Sequence, residues 1–371
     1  MKKIRIAFVG GGWILNWHAR GFLRMKEHCE IVAAAEPNEQ RRADIRRLCG
    51  NPNLPIYTDY NEMFNAGGFD AAVILLPHHL HVEAAVKAAS HGYHVLMEKV
   101  MARNTYECQR MIDACKSAGV TLCVAHDRRY SKDWAAMRKV VASGAIGKIE
   151  HARFEYNGDS ARSDSWVYYI ETVGGGAMMS CMTHQLDALR WMCGEAESVY
   201  CVSQRNENKM EGDCADIATF RMESGAIAVA SISWMTTVSN FLNAHKNTLW
   251  YEFNHICGEK GDVYFMHGKG TFLKLRGKDA PPGYEHAARG DFVNISRELE
   301  DSGHDGLAEN YVKMLMGERH DFSSFGEDTI KTVQLAEAAY ISNETRSEIK
   351  LPIPQTPWED RVYLNKINLK T

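Results

Sequence analysis

The sequence predicts an α/β protein of two domains, a doubly wound parallel-sheet domain followed by an α+β domain on a largely antiparallel sheet. Three observations predict it. The first third alternates short β-rich runs with helical patterns, as βαβ units do. The pattern changes near residue 126 and becomes strand-rich from Ile149. The length of 371 residues suits two domains of ordinary size. The expected division is 1–126 and 127–371.

In the first domain the predicted strands are Ile4–Val9, Ile31–Glu36, Ala71–Leu76, His94–Met97 and Thr121–Ala125. Gln40–Leu48, Val82–Ser90 and Thr105–Ala118 carry helical patterns between them. The run Ala71–Leu76 is apolar throughout, as a strand buried on both faces should be. Ser131–Ser143 reads as a helix with Gly144 as its stop. The strands expected after it are Ile149–Tyr156, Val199–Gln204, Ala215–Met222, Ala226–Trp234, Leu249–Ile256 and Asp262–Met266. Turn signals such as Glu223-Ser-Gly225 and Gly258-Glu-Lys-Gly261 separate them and favour antiparallel pairing. Residues 305–317 and 327–345 read as helices.

Composition bounds the partners. The formal net charge is -4, which is no footprint for nucleic acid or an anionic membrane. No apolar run is long enough to span a bilayer, and Ile4–Val9 is too short and too polar for a secretion signal. The 10 cysteines include no C-x-x-C pair. They read as reduced thiols of a cytoplasmic protein, without zinc-ligand spacing.

The segment Phe8-Val-Gly-Gly-Gly-Trp-Ile-Leu15 leaves a strand and opens a helix. Gly10 permits the tight turn, and Gly12 lets the backbone approach a pyrophosphate. The helix start, with Trp13 and Ile14, offers N–H groups and a positive dipole end to the phosphates. This is the Rossmann dinucleotide turn, with Leu15 in place of the third glycine. Glu36 ends the second strand, where a carboxylate accepts hydrogen bonds from the adenosine ribose and repels a 2′-phosphate. The cofactor is therefore read as NAD. Arg41, with Arg42 beside it, keeps NADP as the second choice.

Two further loops follow strand ends and face the cofactor: Pro77-His-His-Leu-His81, and Glu98-Lys99 with Val100 behind it. Pro77, His78, His81, Glu98 and Lys99 join the cofactor set, as does His126 after the last strand. His79 and His81 form a His-x-His pair with no third ligand at suitable spacing, so no metal is predicted.

Four stretches carry a resemblance to a known family. They are the glycine turn ending in His18-Ala19, then Pro77-His-His-Leu-His81, then Gly92-Tyr-His-Val-Leu-Met-Glu-Lys99, and Gly174-Gly-Gly-Ala-Met-Met-Ser-Cys-Met-Thr-His-Gln-Leu-Asp187. In these the chain resembles the glucose–fructose oxidoreductase / inositol dehydrogenase / MocA family, in order along essentially its whole length. The resemblance implies a Rossmann domain and a C-terminal α+β domain with an open, mostly antiparallel sheet. It also implies a nicotinamide cofactor, sugar or polyol substrates, and homo-oligomers (dimer, tetramer or higher) built through that open sheet. Val100 departs from the family's proline after Glu-Lys. Ser180 stands where many family dehydrogenases have an aspartate.

Alcohol oxidation needs a hydride acceptor and a proton acceptor at one carbon. His184 suits the second role, because imidazole titrates near neutrality. Without the family aspartate it is expected to be a weaker base. On a helix over 176–192, Ser180, His184 and Asp187 share one face, with Asp187 an orienting or structural group. Lys99 is placed to stabilise developing alkoxide charge. Lys99 and His184 are thus the catalytic candidates. The aromatic and polar segment 153–169, with Tyr156, Arg162 and Trp166, suits a sugar ring. Lys99, Ser180, His184, Asp187 and Arg129 complete the expected substrate contacts.

The leading reading is an NAD-dependent oxidoreductase taking hydride from a secondary alcohol of a sugar, glycoside or polyol. A second is redox-assisted glycoside cleavage, with transient oxidation of a ring hydroxyl and NAD recycled in place. A third is a non-catalytic NAD-binding sensor.

Overall fold

A computed structural model describes residues 2–160, 165–206, 208–236, 250–277, 280–287 and 291–361. Arg162 and Leu249, the first residue of one expected strand, lie outside the described residues. The chain divides into two compact units, Met1–Tyr130 with Ser302–Lys331, and Ser131–Asp301 with Thr332–Thr371. A single cut near residue 126 therefore does not describe the packing. The helix Gly303–Leu315 lies on the helix Leu15–Arg24 of the first unit. Gly21 permits this, because a Cβ there would come 2.8 Å from the His304 carbonyl oxygen.

The first unit holds a parallel sheet of β1 (Ile4–Val9), β2 (Cys29–Ala35), β3 (Ile56–Tyr57), β4 (Ala71–Ile74), β5 (His94–Met97) and β6 (Leu122–Val124). Their order is β3-β2-β1-β4-β5-β6, and every pairing is parallel. This is the doubly wound order, with its switch point between β1 and β4. Ala71–Ile74 is buried residue by residue, as its unbroken apolar run requires. The hydrophobic core gathers Phe8, Leu15, Phe22, Ile45 and Val73 with Leu307 and Tyr311. The helices Glu39–Leu48 and Thr105–Ser117 are capped by the Asn38 and Asn104 side chains.

The second unit holds nine strands among the described residues: β7 (Ile149–Gly158), β8 (Ala196–Arg205), β9 (Asp213–Met222), β10 (Ile227–Ser233), β11 (Trp250–Gly258), β12 (Gly261–Met266), β13 (Gly270–Leu275), β14 (Val293–Asn294) and β15 (Ile349–Lys350). Their order is β14-β13-β12-β11-β7-β10-β9-β8-β15. Pairing is antiparallel except between β7 and β10. β3, β13, β14 and β15 were not among the expected strands; three of them are only two residues long and leave no periodic signal.

From Cys214 to Met222 the residues of β9 alternate between buried and more exposed, so one face of the sheet packs inward. The helix Thr183–Cys193 packs against β7 and β10. Among the described residues no helix is long and apolar enough to cross a membrane. All ten cysteines are free thiols. Burial pushes the Cys29, Cys49, Cys115 and Cys193 thiols up to about 12, which makes them poor nucleophiles.

Candidate active site

Strand register levels the cofactor residues. Val9 stands opposite Ala35 and Ile74, Ile74 opposite Met97, and Met97 opposite Val124. Gly10, Glu36, Glu98 and the start of the Pro77 and His126 loops therefore emerge together at the carboxyl ends of the strands. Ligands of doubly wound sheets bind at that edge.

The glycines of the turn answer to different demands. Gly10 has φ of +98°, and a Cβ there would lie 2.8 Å from the Leu75 carbonyl oxygen. A Cβ at Gly11 would strike Ile45 Cδ1 at 2.4 Å. A Cβ at Gly12 would meet no protein atom within 4 Å. Packing does not call for glycine at position 12, whereas a closely bound pyrophosphate would. No side chain caps the helix Leu15–Arg24 at Ile14, so its N-terminus is suited to an anion. Trp13 is 80% exposed at this turn.

Glu36 is buried beside the turn. Its Oε2 accepts from Gly11 N–H and its Oε1 from Asn38 N–H, both at 2.8 Å. A carboxylate offers about four acceptor sites, so two remain for ribose hydroxyls. Arg41 is exposed on the following helix. Arg42 is committed to the Glu36 and Pro37 carbonyls and to Thr58 Oγ1.

His81 is fully buried, which corrects its expected contact with cofactor. Its Nε2 lies 2.8 Å from the Leu76 carbonyl oxygen and its Nδ1 3.1 Å from that of Met101. It ties the two loops together. Burial holds its imidazole below the ordinary value, although both carbonyls pull the other way. His78 is also buried, with its ring 5.6 Å from that of His81. Pro77 is half-buried at the start of this loop.

Glu98 accepts the Lys99 backbone N–H on Oε2 at 2.8 Å and lies 2.9 Å from His18 Nε2 through Oε1. Burial would raise the Glu98 carboxyl. The His18 hydrogen bond and the positive charge nearby outweigh it and hold the carboxyl below its ordinary value. Lys99 is half-buried on this turn, and His126 is buried after β6.

These shifts set a pH dependence. The folded-state values of His81 and His304 are depressed, so the unfolded chain binds more protons as pH falls. Their stabilisation is full above the unfolded histidine value of about 6.5 and is lost below it. The thermal midpoint should therefore fall between pH of about 7.5 and 5.5. Glu98 adds a further loss below the ordinary carboxylate range near 4.3. A midpoint that is level across both ranges would contradict these assignments.

The second unit places Ser180 and His184 on a segment that is not one regular α-helix. Met178–Met182 forms a π-helical turn, followed by the α-helix Thr183–Cys193. Ser180 falls on the π turn, while His184 and Asp187 keep their three-residue spacing on the regular α-helix. His184 is half-exposed, while Ser180 and Asp187 are buried. Asp187 Oδ1 accepts from Thr332 Oγ1 at 3.4 Å, and Arg190 donates to the same hydroxyl at 2.9 Å. Asp187 is thus buried and held by a side chain of its own unit.

Two residues outside the expected set anchor this segment. Tyr340 Oη donates to Asp213 Oδ1 at 2.6 Å and accepts from Gly176 and Met179 N–H. Asp213 Oδ2 accepts from Met178 N–H at 2.8 Å. A hydroxyl and a carboxylate thereby cap the start of the helix, where negative charge is favourable. The glycine run fits against them. A Cβ at Gly175 would lie 2.2 Å from Tyr340 Oη, and one at Gly176 would lie 2.2 Å from the Asp213 carbonyl oxygen.

Tyr156 is buried on the helix-covered side of β7, and Trp166 is partly exposed on a short 3₁₀ turn capped by Ser165. Arg129 does not present a spare guanidinium. It is buried in the first unit and bonds Ser323 Oγ at 3.0 Å and Asp328 Oδ2 at 2.9 Å. This corrects its expected role as a substrate contact.

Residues 4–126 match the family described as "Oxidoreductase family, NAD-binding Rossmann fold", and residues 134–264 match the GFO/IDH/MocA C-terminal domain. Levoglucosan dehydrogenase of Pseudarthrobacter phenanthrenivorans is 29% identical over 213 residues, which is 54% of each chain. The 2,7-anhydro-N-acetylneuraminate hydratase of Mediterraneibacter gnavus is 24% identical over 239 residues, covering 63% of this chain and 62% of the relative. The matched stretches thus span roughly half to three fifths of these relatives. The crystal structure of the WlbA dehydrogenase from Bordetella pertussis, in complex with NADH and UDP-GlcNAcA, superposes with a TM-score of 0.82 at 24% identity. That match covers 95% of this chain and 99% of the other, and it supports the shared fold. With both of its domains matched in order, the chain belongs to the glucose–fructose oxidoreductase / inositol dehydrogenase / MocA family of oxidoreductases, whose N-terminal domain is an NAD-binding Rossmann fold.

Proposed function

We propose that the protein oxidises a secondary alcohol of a sugar, glycoside or polyol with NAD as hydride acceptor. The observation that carries this reading is the level strand edge, which gathers the Gly10–Ile14 turn, Glu36, and the Glu98-Lys99 turn. Bound NAD supplies the hydride acceptor. Gly12 and the helix start hold its pyrophosphate, with Trp13 and Ile14 beside it, and Glu36 holds the adenosine ribose. Pro77, His78 and His126 line the same edge. The Lys99 ammonium stabilises negative charge developing on the substrate oxygen. His184 accepts the hydroxyl proton. Tyr156, Trp166 and Ser180 meet the sugar. The free thiols suit a reducing cytoplasm.

A second reading is favoured by two observations. Ser180 replaces the family aspartate, and two relatives are named hydratases. Net hydration or cleavage transfers no net hydride, so NAD would be reduced and reoxidised within one turnover. Incubation with NAD and a panel of sugars and glycosides separates the readings. Stoichiometric NADH absorbance with an oxidised product supports the first. A cleaved or hydrated product without net NADH supports the second. No turnover with any of them would favour a binding protein.

The cofactor assignment has its own test. Gly12→Ala should change stability by less than about 0.5 kcal/mol, because its Cβ would meet no protein atom within 4 Å. It should raise the Kd for NAD at least about tenfold, the equivalent of 1.4 kcal/mol. Glu36→Gln should weaken NAD and narrow its preference over NADP, as measured by fluorescence titration with both cofactors. Unaltered NAD affinity in both variants would remove this edge as the cofactor site.

We also propose a homo-oligomer through the outer sheet face. Tyr200, Val202, Ile217 and Ile227 are 45%, 59%, 61% and 52% exposed on neighbouring strands, and Val202 pairs directly with Ile217. Adjacent exposed apolar residues mark an interface. Val202→Glu with Ile217→Lys should lower the molar mass seen by light scattering. An unaltered mass would place the interface elsewhere.

A further inference from the structure

The helix Leu15–Arg24, the end of β5 and the start of the helix Gly303–Leu315 bring three donor side chains together within the first unit. His18, Glu98 and His304 each present one donor atom, and these atoms all lie within 4.8 Å of one another. The His304 ring meets the His18 ring edge-to-face, with centroids 5.0 Å apart. Its Nε2 is buried and has no hydrogen-bond partner among the described residues. Its Nδ1 lies 3.5 Å from Asp127 Oδ2.

We propose that His18, Glu98 and His304 form a binding site for one divalent transition-metal ion of the zinc type. Two imidazoles with one carboxylate favour such ions over magnesium or calcium, which prefer all-oxygen sites. Tetrahedral ligands about 2.0–2.2 Å from an ion stand about 3.3–3.6 Å apart. Donor atoms within 4.8 Å of one another reach that spacing when the longest separation closes by about an ångström. Asp127 is placed to accept the His304 Nδ1 proton, which leaves the Nε2 lone pair for the metal. Carboxylates commonly orient ligating histidines in this way.

Charge is balanced around the site. Glu98 and Asp127 offset Lys99 and Arg128, which lie close enough to act on Glu98 and His304. Binding requires no redox step. The ion takes the place of the His18 Nε2–H toward Glu98, and neutral His18 keeps its ring proton on Nδ1, as a metal-binding imidazole does. The site would fasten three segments far apart in sequence. It would also steady the Lys99 turn through the Glu98 Oε2 bond to Lys99 N–H. The inference requires neither NAD nor any particular substrate.

The test uses the full chain, stripped with a chelator and titrated with Zn2+ by calorimetry and with Co2+ by visible absorption. One equivalent of each should bind, and Zn2+ should raise the thermal midpoint. His304→Ala should weaken binding by about 100-fold or more, and Asp127→Asn by about tenfold. His286→Ala, at an exposed histidine elsewhere, should bind as the unaltered chain does. Circular dichroism and NAD titration check that each variant folds. If His304→Ala does not fold, the unaltered chain decides: uptake of clearly less than one equivalent overturns the site. Binding by a folded His304→Ala as tight as that of the unaltered chain also overturns it.

Discussion

Lys99→Ala and His184→Ala should each lower kcat by about 10²–10⁴-fold, the range for losing an acid–base group or a fixed charge at a developing oxyanion. The two losses should differ in kind. In the proposed reaction Lys99 stabilises charge that grows as the hydride leaves, so its loss should appear in kcat at every pH. His184 accepts the proton in that proposal, so its loss should flatten the acid limb of the pH–rate profile. NADH formation on the turned-over substrate is the measurement, with NAD affinity of His184→Ala expected unaltered. Near-normal turnover in both variants would remove the catalytic assignment and favour a binding protein. If the recycled-cofactor reading holds, product formation rather than NADH is followed, and the same losses are expected. If both proposed roles hold, the double variant should lose less than the product of the single losses, as groups that act as a unit do.

Gly176→Ala should destabilise the chain by about 3 kcal/mol or more, the upper end for an overpacked contact with no means of relief. The added Cβ would lie 2.2 Å from the Asp213 carbonyl oxygen, 2.4 Å from its amide nitrogen and 2.7 Å from Oδ1. Two of these are backbone atoms of β9, held between β8 and β10. No side-chain rotation can clear them. A lowered thermal midpoint, or loss of soluble protein, is the expected reading. Tyr340→Phe should cost less. It removes a hydroxyl that accepts from two N–H groups and donates to Asp213, but it leaves the glycine packing intact. A Gly176→Ala chain as stable as the unaltered one would mean that the glycine run is present for another reason than close packing.

The contrast between Gly176 and Gly12 shows what a motif in the sequence can carry. Both lie in glycine runs that the family resemblance marks. Only the structure separates a glycine that neighbouring backbone requires from one that no protein neighbour requires. The Rossmann half was legible because its signals are local. Gly10, Gly12 and Glu36 lie within one βαβ unit, and apolar strand runs read directly from the chain. The loops after β4 and β5 were legible for the same reason: each follows its strand immediately. His81 was visible as a loop histidine, but its burial between two carbonyls was not. The π-turn at Met178–Met182 was likewise invisible, because 176–192 fits a helical period in the sequence.

What the sequence by itself determined was the class of each domain, the glycine turn with its acidic partner, the family, and the presence of Lys99 and His184 in their motifs. Local periodicity and short spacings suffice for these. Tertiary structure alone decided that residues 302–331 pack with the first unit, because the small face at Gly21 admits the helix Gly303–Leu315. It also decided that Arg129 is spent on Asp328, that Asp213 and Tyr340 hold the His184 segment, and that His304 comes to His18 and Glu98. Each of these contacts joins residues far apart in the chain. Their partners are chosen by which surfaces fit when helices and sheet close, a condition that no spacing along the chain records.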